Sequence, residues 1–304
     1  MRRFSQFPRF ACTPSGAVGL TLLTTVLMIA LFGPFFAPHS ITATVGPPGQ
    51  PPSPSAPLGT DFLGRDVLSR LLNGGRSVVW LGGAATAFSY LLGVTVGLVA
   101  GYSRSIIDPI LMRGVDVLLA FPALLILLLL VSGLGTHVWV LLLGVALVQL
   151  PGIARVIRTA TLEASTRGYV EAAVARGEHM LAVLRREILP NIAPVLLADF
   201  GIRFGVSIVF IASMNFLSLG LTPPKADWGL MISENRDYIA LNLWSVLAPA
   251  LMLALLTISV NLTADAYVRS LGRSATTGRR PRRLGGPLSG TIDTPAIEGG
   301  GEAR

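Results

Sequence analysis

Long apolar stretches, separated by shorter polar ones, dominate the chain. Six of them approach the ~20 residues that a helix needs to cross ~30 Å of hydrocarbon. To within a few residues at each end, they cover 17–37, 78–101, 115–133, 137–153, 194–221 and 245–268. The pattern predicts an all-α integral membrane protein with about six transmembrane helices.

Composition supports this class of protein. Of the 304 residues, 52% are hydrophobic and 13% are charged, against roughly 25% charged residues in a soluble domain. The net charge of +8 comes mainly from arginines in the short segments between apolar stretches. This placement favours a topology signal over nucleic-acid binding. The single cysteine, Cys12, excludes an internal disulfide and a cysteine-based metal cluster.

The distribution of basic residues predicts the orientation. If the chain starts in the cytoplasm, eighteen basic residues fall in cytoplasmic segments and five in external ones, as the positive-inside rule requires. Trp80, Trp139 and Trp244 then lie near the external starts of their spans, where tryptophan is enriched at the membrane interface. We therefore expect both termini to lie in the cytoplasm.

The external segment between the first two spans has two parts. Residues 42–57 are rich in Pro, Gly and Ser, which predicts an extended connector. Residues 58–76 carry leucine and valine at helical spacing, which predicts a short amphipathic helix along the outer membrane surface. The polar side of that helix carries Arg65, Asp66, Ser69 and Arg70.

The connection over residues 154–193 is too polar to lie in lipid. Its pattern predicts two short cytoplasmic helices, over 170–176 and 181–188, with Gly177 at the corner and Pro190 ending the second. Glu171 lies near the start of the first helix, where a carboxylate complements the helix dipole. The end of the chain, from about Gly272, is rich in Gly, Arg and Pro and is predicted to be disordered.

Residues of this connection resemble a known family. The run Glu171-Ala172-Ala173, then Gly177, then Ile188-Leu189-Pro190 resembles the EAA motif of binding-protein-dependent ABC importer permeases. The resemblance implies a coupling helix that docks into a cleft of a cytoplasmic ATPase. It also implies that the alanine pair permits close approach and that Gly177 sets the turn.

Two further blocks, over residues 57–70 and 216–238, resemble the C-type permease subunit of dipeptide, oligopeptide and nickel importers. The matching external positions are Gly59, Thr60, Asp61, Gly64, Arg65, Asp66, Pro223, Pro224, Trp228, Gly229 and Glu234. The resemblance implies the type I ABC importer permease fold in a prokaryotic inner membrane. It also implies a peptide substrate, or a related solute such as a nickel chelate or glutathione.

The resemblance implies a division of the chain into five parts. These are a cytoplasmic N-terminal segment (1–16), the first transmembrane helix (17–37), the external connector with its amphipathic helix (38–77), a core permease domain of five helices (78–268, with the coupling loop at 154–193), and a cytoplasmic, disordered tail (269–304).

The chain departs from the family pattern inside the fifth span. Ile211 stands where many relatives carry a glutamate, and Asp199 and Arg203 instead place charges one helical turn apart. A charged pair at bilayer depth suggests a translocation path. The other interpretation is a pair near the cytoplasmic end that satisfies itself and contacts water.

Two rival functions remain less well supported than a permease. A membrane-embedded enzyme would draw on His39, His137 and His179, but these map to different sides and form no zinc motif. A secondary transporter would need coupling carboxylates within the spans and repeated halves. Besides Asp199, the spans hold only Asp116 and Asp265, both near cytoplasmic ends.

The energy source must lie in another chain. A phosphate-binding loop needs Gly-Lys-Ser/Thr, and the only lysine, Lys225, lies between proline and alanine. The resemblance implies a homologous B-type permease, two ATP-binding subunits that use ATP and Mg, and an extracytoplasmic substrate-binding protein as partners, beside membrane lipid. We expect no catalytic residue, metal or cofactor in this chain.

Overall fold

The computed structural model describes residues 13–103 and 105–277, and helices account for most of them. The helices are α1 (Pro14–Phe32), α2 (Val67–Tyr102), α3 (Ile107–Leu119), α4 (Ala123–Leu134), α5 (Val138–Ser165), α6 (Gly168–Ala175), α7 (Met180–Val183), α8 (Leu189–Phe216), α9 (Trp228–Asn235) and α10 (Trp244–Thr277). A π-helical turn, Leu184–Ile188, joins α7 to α8, and 3-10 turns cover Gly33–Phe36 and Arg236–Tyr238. Within the described part, β-pairing is limited to isolated bridges.

The number of spans agrees with the prediction. Five helical segments are long and apolar enough to cross a membrane, and the bent pair α3–α4 makes a sixth if it counts as one span. The all-α membrane fold is therefore confirmed. Most of the predicted N-terminal segment, residues 1–12, and the tail from residue 278 lie outside the described residues.

Helices α2 and α5 run parallel and form the largest helix–helix contact of the bundle. Glycines spaced by four on α2 create this contact, because Gly93, Gly97 and Gly101 face Ile153, Ile157 and Thr161 of α5 in turn. A Cβ atom at any of the three would lie 2.7 Å from atoms of α5. Small residues at such a crossing let two backbones approach closely.

Gly97→Ala is expected to destabilise the bundle by about 1–3 kcal/mol, because the new methyl overpacks the contact with α5. The added Cβ would meet the Ala154 carbonyl oxygen at 2.7 Å. Gly83→Ala on the same helix is the matched control, since its nearest neighbour would lie 3.9 Å away. Thermal unfolding of the purified protein in detergent checks this; equal midpoints for the two variants would contradict the close contact.

The predicted surface helix and second span form one continuous helix, which corrects the prediction. Helix α2 begins directly after Asp66, whose carboxylate accepts hydrogen bonds from the amides of Leu68 (3.3 Å) and Ser69 (3.0 Å). It then runs for 36 residues. The residues predicted on a solvated polar side, Arg65, Asp66, Ser69 and Arg70, are buried instead. They pair with groups distant in sequence, which helical periodicity does not reveal.

The predicted third span, 115–133, is also not one straight helix. It divides into α3 and α4, whose axes differ by 87°. Pro122 lies at the break as the residue preceding α4. Proline has no amide hydrogen for the preceding turn, and it disfavours helical geometry at the residue before it. Pro122 directly precedes α4, where a helix does not use the amide hydrogen, so the missing donor breaks no helical hydrogen bond.

Three other boundaries differ from the prediction. Helix α5 continues past residue 153 to Ser165, so the polar connection begins as helix. Helix α8 ends at Phe216, before the predicted residue 221, and Ser218 has a positive φ of 60°. Helix α10 continues to Thr277, through the start of the segment predicted to be disordered. Apolar runs locate membrane spans, but helices extend beyond the hydrocarbon wherever polar turns stay hydrogen-bonded.

The connector over 42–57 is folded, contrary to the extended chain predicted. It packs with residues 58–66, α9 and residues 236–244 into a compact unit at one end of the bundle, which we call the cap. The hydroxyl of Thr60 donates to the Pro47 carbonyl (2.5 Å), and the Asn242 amide donates to the carbonyls of Leu58 (2.9 Å) and Thr60 (3.0 Å). The composition rich in Pro, Gly and Ser predicted an extended connector, because composition does not show which distant groups the backbone binds.

Candidate functional site

Residues 168–190 form a two-helix hairpin at the bundle end opposite the cap, which we call the tip. Helix α6 ends in a Schellman motif: the Gly177 amide donates to the Val174 carbonyl (2.9 Å) and the Glu178 amide to the Ala173 carbonyl (3.2 Å). Gly177 has a φ of 78°, a region that glycine enters without steric cost. The predicted glycine corner is therefore confirmed as local structure.

The alanine pair of the tip is divided between inside and outside. Ala173 is fully buried in a core cluster with Val170, Val183 and Ile188 of the tip, whereas Ala172 is exposed. The prediction that both alanines form the contact surface therefore needs correction at Ala173. Its small side chain lets α6 pack against the following helix of the same chain. Glu171, in the first turn of α6, is exposed.

Pro190 does not end the second helix of the tip, contrary to the prediction. Helix α7, the π-turn and α8 form one continuous segment, Met180–Phe216. The π-turn closes with a hydrogen bond from the Leu189 amide to the Leu184 carbonyl, five residues back. This wider turn directly precedes Pro190, whose ring would crowd the carbonyl of a regular α-turn. The tip is thus fused directly to a membrane span.

The remaining motif residues follow from this geometry. Ile188 is buried, Leu189 is half-buried and Pro190 is exposed. The outward side of the tip exposes apolar side chains, since Val174 is 52% and Leu181 is 68% exposed. Exposed apolar side chains on a folded hairpin are suited to protein contact. The coupling role of the tip stays a prediction.

A buried ion cluster lies between the cap and the first turn of α2. The Arg65 Nε donates to Asp61 Oδ2 (2.6 Å), and Glu234 Oε2 accepts from Nη2 of Arg70 (2.6 Å) and of Arg65 (3.3 Å). Arg70 Nε also lies 3.5 Å from Asp61 Oδ2. Burial raises the pKa of the Glu234 carboxyl, whereas Arg70 and Arg65 act in the opposite direction. The cluster therefore links the residues just before α2 and the first turn of α2 to α9.

The structure thus brings the two external blocks of the sequence together. Gly59 and Gly64 adopt positive φ angles of 74° and 76° in the cap, and the Thr60 side chain is buried. Gly229 packs against α8, where a Cβ would lie 2.9 Å from the Ala212 backbone. Pro223 and Pro224 are exposed and joined by a cis peptide bond. The matching positions of the two blocks therefore lie in one folded unit, although they are far apart in the sequence.

Asp227 and Trp228 anchor α9 to the bundle. Asp227 is fully buried and accepts hydrogen bonds from Asn215 Nδ2 (2.7 Å), Ser77 Oγ (3.0 Å) and two amides of α9. Burial raises the pKa of the Asp227 carboxyl, although these hydrogen bonds act in the opposite direction. The Trp228 indole donates to the Leu71 carbonyl (2.8 Å). Asp227 belongs to the block 216–238 that resembles the family, but its role as a helix cap was not predicted, although an Asp directly before a short helix is a recognisable capping signal.

Asp199 and Arg203 are partly buried on α8, where they contact α2 and α5. Arg203 Nε is 3.3 Å from both Asp199 carboxylate oxygens, and the Tyr90 hydroxyl donates to Asp199 Oδ2 (2.6 Å). The guanidinium packs over Gly152 of α5, where an added Cβ would lie 2.5 Å from Nη1. The pair satisfies itself, as the second interpretation predicts. A role in a translocation path remains a prediction.

A second polar contact lies next to this pair, between the same three helices, and was not predicted from the sequence. Ser207 lies one turn beyond Arg203 on α8, and its hydroxyl accepts a hydrogen bond from Gln149 Nε2 (2.6 Å) and lies 2.8 Å from Thr86 Oγ1. The available signal was the spacing of 199, 203 and 207, which places three polar residues on one face of an apolar helix.

The three histidines considered as enzyme candidates lie far apart. His39 Nδ1 is 3.4 Å from Asp66 Oδ2 in the cap, His137 stacks on Trp139, and His179 precedes α7 in the tip. Over residues 13–103 and 105–277, no group of three His, Cys, Asp or Glu side chains is arranged to hold a metal ion. The structure therefore does not bring the histidines together.

Comparisons with known proteins agree with this architecture. Residues 93–274 match the family described as binding-protein-dependent transport system inner membrane component. The di/tripeptide transport system permease protein DppC of Pseudomonas aeruginosa is 34% identical over 84% of this chain and 87% of its own length. The glutathione transport system permease protein GsiD of Pectobacterium atrosepticum is 36% identical, over 70% of this chain and 71% of its own.

A solved structure is similar in fold. The MetNI methionine ABC transporter, in an inward-facing conformation, superposes with a TM-score of 0.55 at 19% identity. The match covers 66% of this chain and 96% of the MetNI chain. At this level of identity, the similarity bears on the fold alone.

Proposed function

The chain belongs to the family of binding-protein-dependent transport system inner membrane components, and from this premise we propose that it is the C-type permease of a peptide importer. It is a multi-pass inner-membrane permease of an ATP-binding-cassette importer. The relatives that carry the names of dipeptide and glutathione permeases support a peptide or peptide-like substrate. A nickel chelate is the less favoured alternative.

We propose that the tip receives the ATPase and that the termini lie in the cytoplasm. The observation that carries this is the apolar outward face of the tip, with Val174 and Leu181 exposed, on a helix continuous with α8. Displacing the tip therefore displaces a membrane span without an intervening loop. Positive-inside counting supports the same side for the tip and the termini.

The assembly we propose contains this chain, a homologous B-type permease, two ATP-binding subunits and an extracytoplasmic substrate-binding protein. This chain contributes no catalytic residue and binds no cofactor, and ATP and Mg are used by the ATPase subunits. The binding protein delivers substrate at the cap end. ATP-driven closure of the ATPase pair moves the tips, and the bundle alternates between inward- and outward-open states.

Gly177→Asp is expected to lower transport several-fold, and Gly177→Ala to have a smaller effect. Both variants put a side chain on a residue with a φ of 78°, at a cost of roughly 1–2 kcal/mol. In the described part of the chain, no atom lies within 4 Å of the added Cβ. Neither side chain should clash with the rest of the chain. The two variants differ because the aspartate also adds a charge to the docking face.

Uptake of labelled dipeptide and co-purification of the ATPase measure this effect. The docking proposal is wrong if Gly177→Asp inserts normally, retains the ATPase and transports at the wild-type rate. Substrate class is tested separately by competing the uptake with dipeptides, glutathione and nickel chelates. Competition by nickel chelates alone would overturn the peptide assignment but leave the docking proposal intact.

A further inference from the structure

A pocket opens beside the first turns of α2 at the cap end and has no role in the proposed stroke. Its cavity volume is about 400 Å³. The lining residues are Asn73, Arg76, Ser77, Trp80, Leu81, Val138, Leu221 and Lys225. It therefore combines two cations with an apolar wall.

The two cations of this pocket have no acidic partner within 4 Å among the described residues. Arg76 and Lys225 are both exposed. The other basic residues of the cap differ, because Arg65 and Arg70 belong to the buried cluster and Arg236 lies 3.7 Å from Asp237. The pocket thus presents net positive charge.

The nearest acid does not neutralise this charge. Asp227 lies behind Ser77, with its Oδ2 3.0 Å from the serine hydroxyl, but its side chain is fully buried. Its carboxylate is already occupied by the Asn215 amide, the serine hydroxyl and two backbone amides. A ligand in the pocket would therefore meet the two cations and not this carboxylate.

The apolar wall places the pocket at the membrane interface. Trp80 is 63% and Val138 is 39% exposed, and Trp139, next to Val138, is exposed as well. Tryptophans at the starts of two spans mark the level of the lipid headgroups. Arg76 lies one helical turn before Trp80 on α2, so its charge is just beyond that level on the same face.

We propose that this pocket binds a phospholipid of the outer leaflet, with the phosphate between Arg76 and Lys225 and the start of an acyl chain along Trp80 and Val138. Arginine binds phosphate oxygens through two parallel hydrogen bonds, and lysine acts as a point charge. An acidic loop of a soluble partner would match the cations but leave the exposed apolar wall uncovered. The assignment to the outer leaflet rests on the orientation given under the proposed function, and the rest of the proposal does not.

The test uses the full chain in its native complex, reconstituted in nanodiscs of equal phosphatidylglycerol and phosphatidylethanolamine. Retained lipid is counted by native mass spectrometry during detergent titration. Each basic residue near a membrane surface strengthens the binding of anionic lipid about 5-fold. Retention of phosphatidylglycerol should therefore fall about 5-fold in Arg76→Gln or Lys225→Gln and about 30-fold in the double variant. Trp80→Ala should reduce retention of both lipids.

Arg236→Gln is the matched control, because it removes an exposed cap arginine that lies outside the pocket. It should retain lipid as the wild type does. Equal retention in the control and the double variant would overturn the proposal. It would also be overturned if the double variant lost affinity for the substrate-binding protein while lipid retention stayed unchanged, because the occupant would then be an acidic protein surface. Neither readout depends on transport, so failure here leaves the proposed function untouched.

Discussion

Glu234→Ala is expected to lower the free energy of unfolding by about 3–5 kcal/mol, because Asp61 would remain as the one carboxylate beside the buried guanidinium groups of Arg65 and Arg70. The hydrogen bond that the structure gives the Arg70 side chain is to Glu234 Oε2, at 2.6 Å. Arg70 is fully buried, so its guanidinium is poorly placed to regain this hydrogen bond from bulk water. The midpoint of thermal unfolding of the purified protein and the yield of inserted protein measure the loss.

Asp237→Ala provides the control for this experiment. Asp237 is an exposed acid three residues further along the cap, and its partner Arg236 is exposed as well. Exposed pairs contribute about 0–1 kcal/mol, so this variant should unfold close to the wild type. Removing both charges in Arg70→Met/Glu234→Leu should recover much of the loss, because no unpaired charge remains. Similar midpoints for Glu234→Ala and Asp237→Ala would show that the cluster does not hold the cap.

The second large effect is expected at Asp199→Ala, which should destabilise the bundle by about 2–3 kcal/mol. The substitution leaves the Arg203 guanidinium against Gly152 without its carboxylate, and it leaves the Tyr90 hydroxyl only its weaker acceptor, the Leu196 carbonyl at 3.4 Å. Asp116→Ala is the control, since the pair of Asp116 with Arg155 lies on the surface. Thermal unfolding of the two variants should differ clearly.

Asp199→Asn separates the two interpretations of this pair. The amide oxygen can still accept the Tyr90 hydroxyl, so the variant tests the charge with less loss of structure. If the pair is structural, transport should fall only in proportion to stability. A variant that unfolds like the wild type but transports poorly would instead favour the translocation path. Uptake rate and unfolding midpoint, measured on the same preparations, distinguish these results.

The helical architecture was predictable because a membrane span is a local property. Twenty consecutive apolar residues must form a helix in lipid, since each backbone amide needs a partner within its own segment. The break at Pro122 was within reach, because proline at the middle of an apolar run disfavours helix before it. The predicted straight span gave that residue too little weight.

The cap was not predictable for the opposite reason. Asp61, Arg65, Arg70 and Glu234 are each polar, and helical periodicity assigned Arg65 and Arg70 to the polar side of a surface helix. Their partners lie up to 169 residues away, and a pattern read along the chain does not contain that distance. The resemblance to known permeases marked the same positions but did not say that they contact one another.

The sequence by itself determined the class of the protein, the approximate spans, the glycine corner at Gly177 and the family. Each depends on residues near one another, namely apolar runs, short motifs and the unique backbone freedom of glycine. Tertiary structure alone decided that Ala173 faces inward while Ala172 faces outward, that Pro190 lies within a continuous helix, and that the charges of the cap are buried together. These outcomes depend on which distant groups fill a space or accept a hydrogen bond, and only the folded chain brings those groups together.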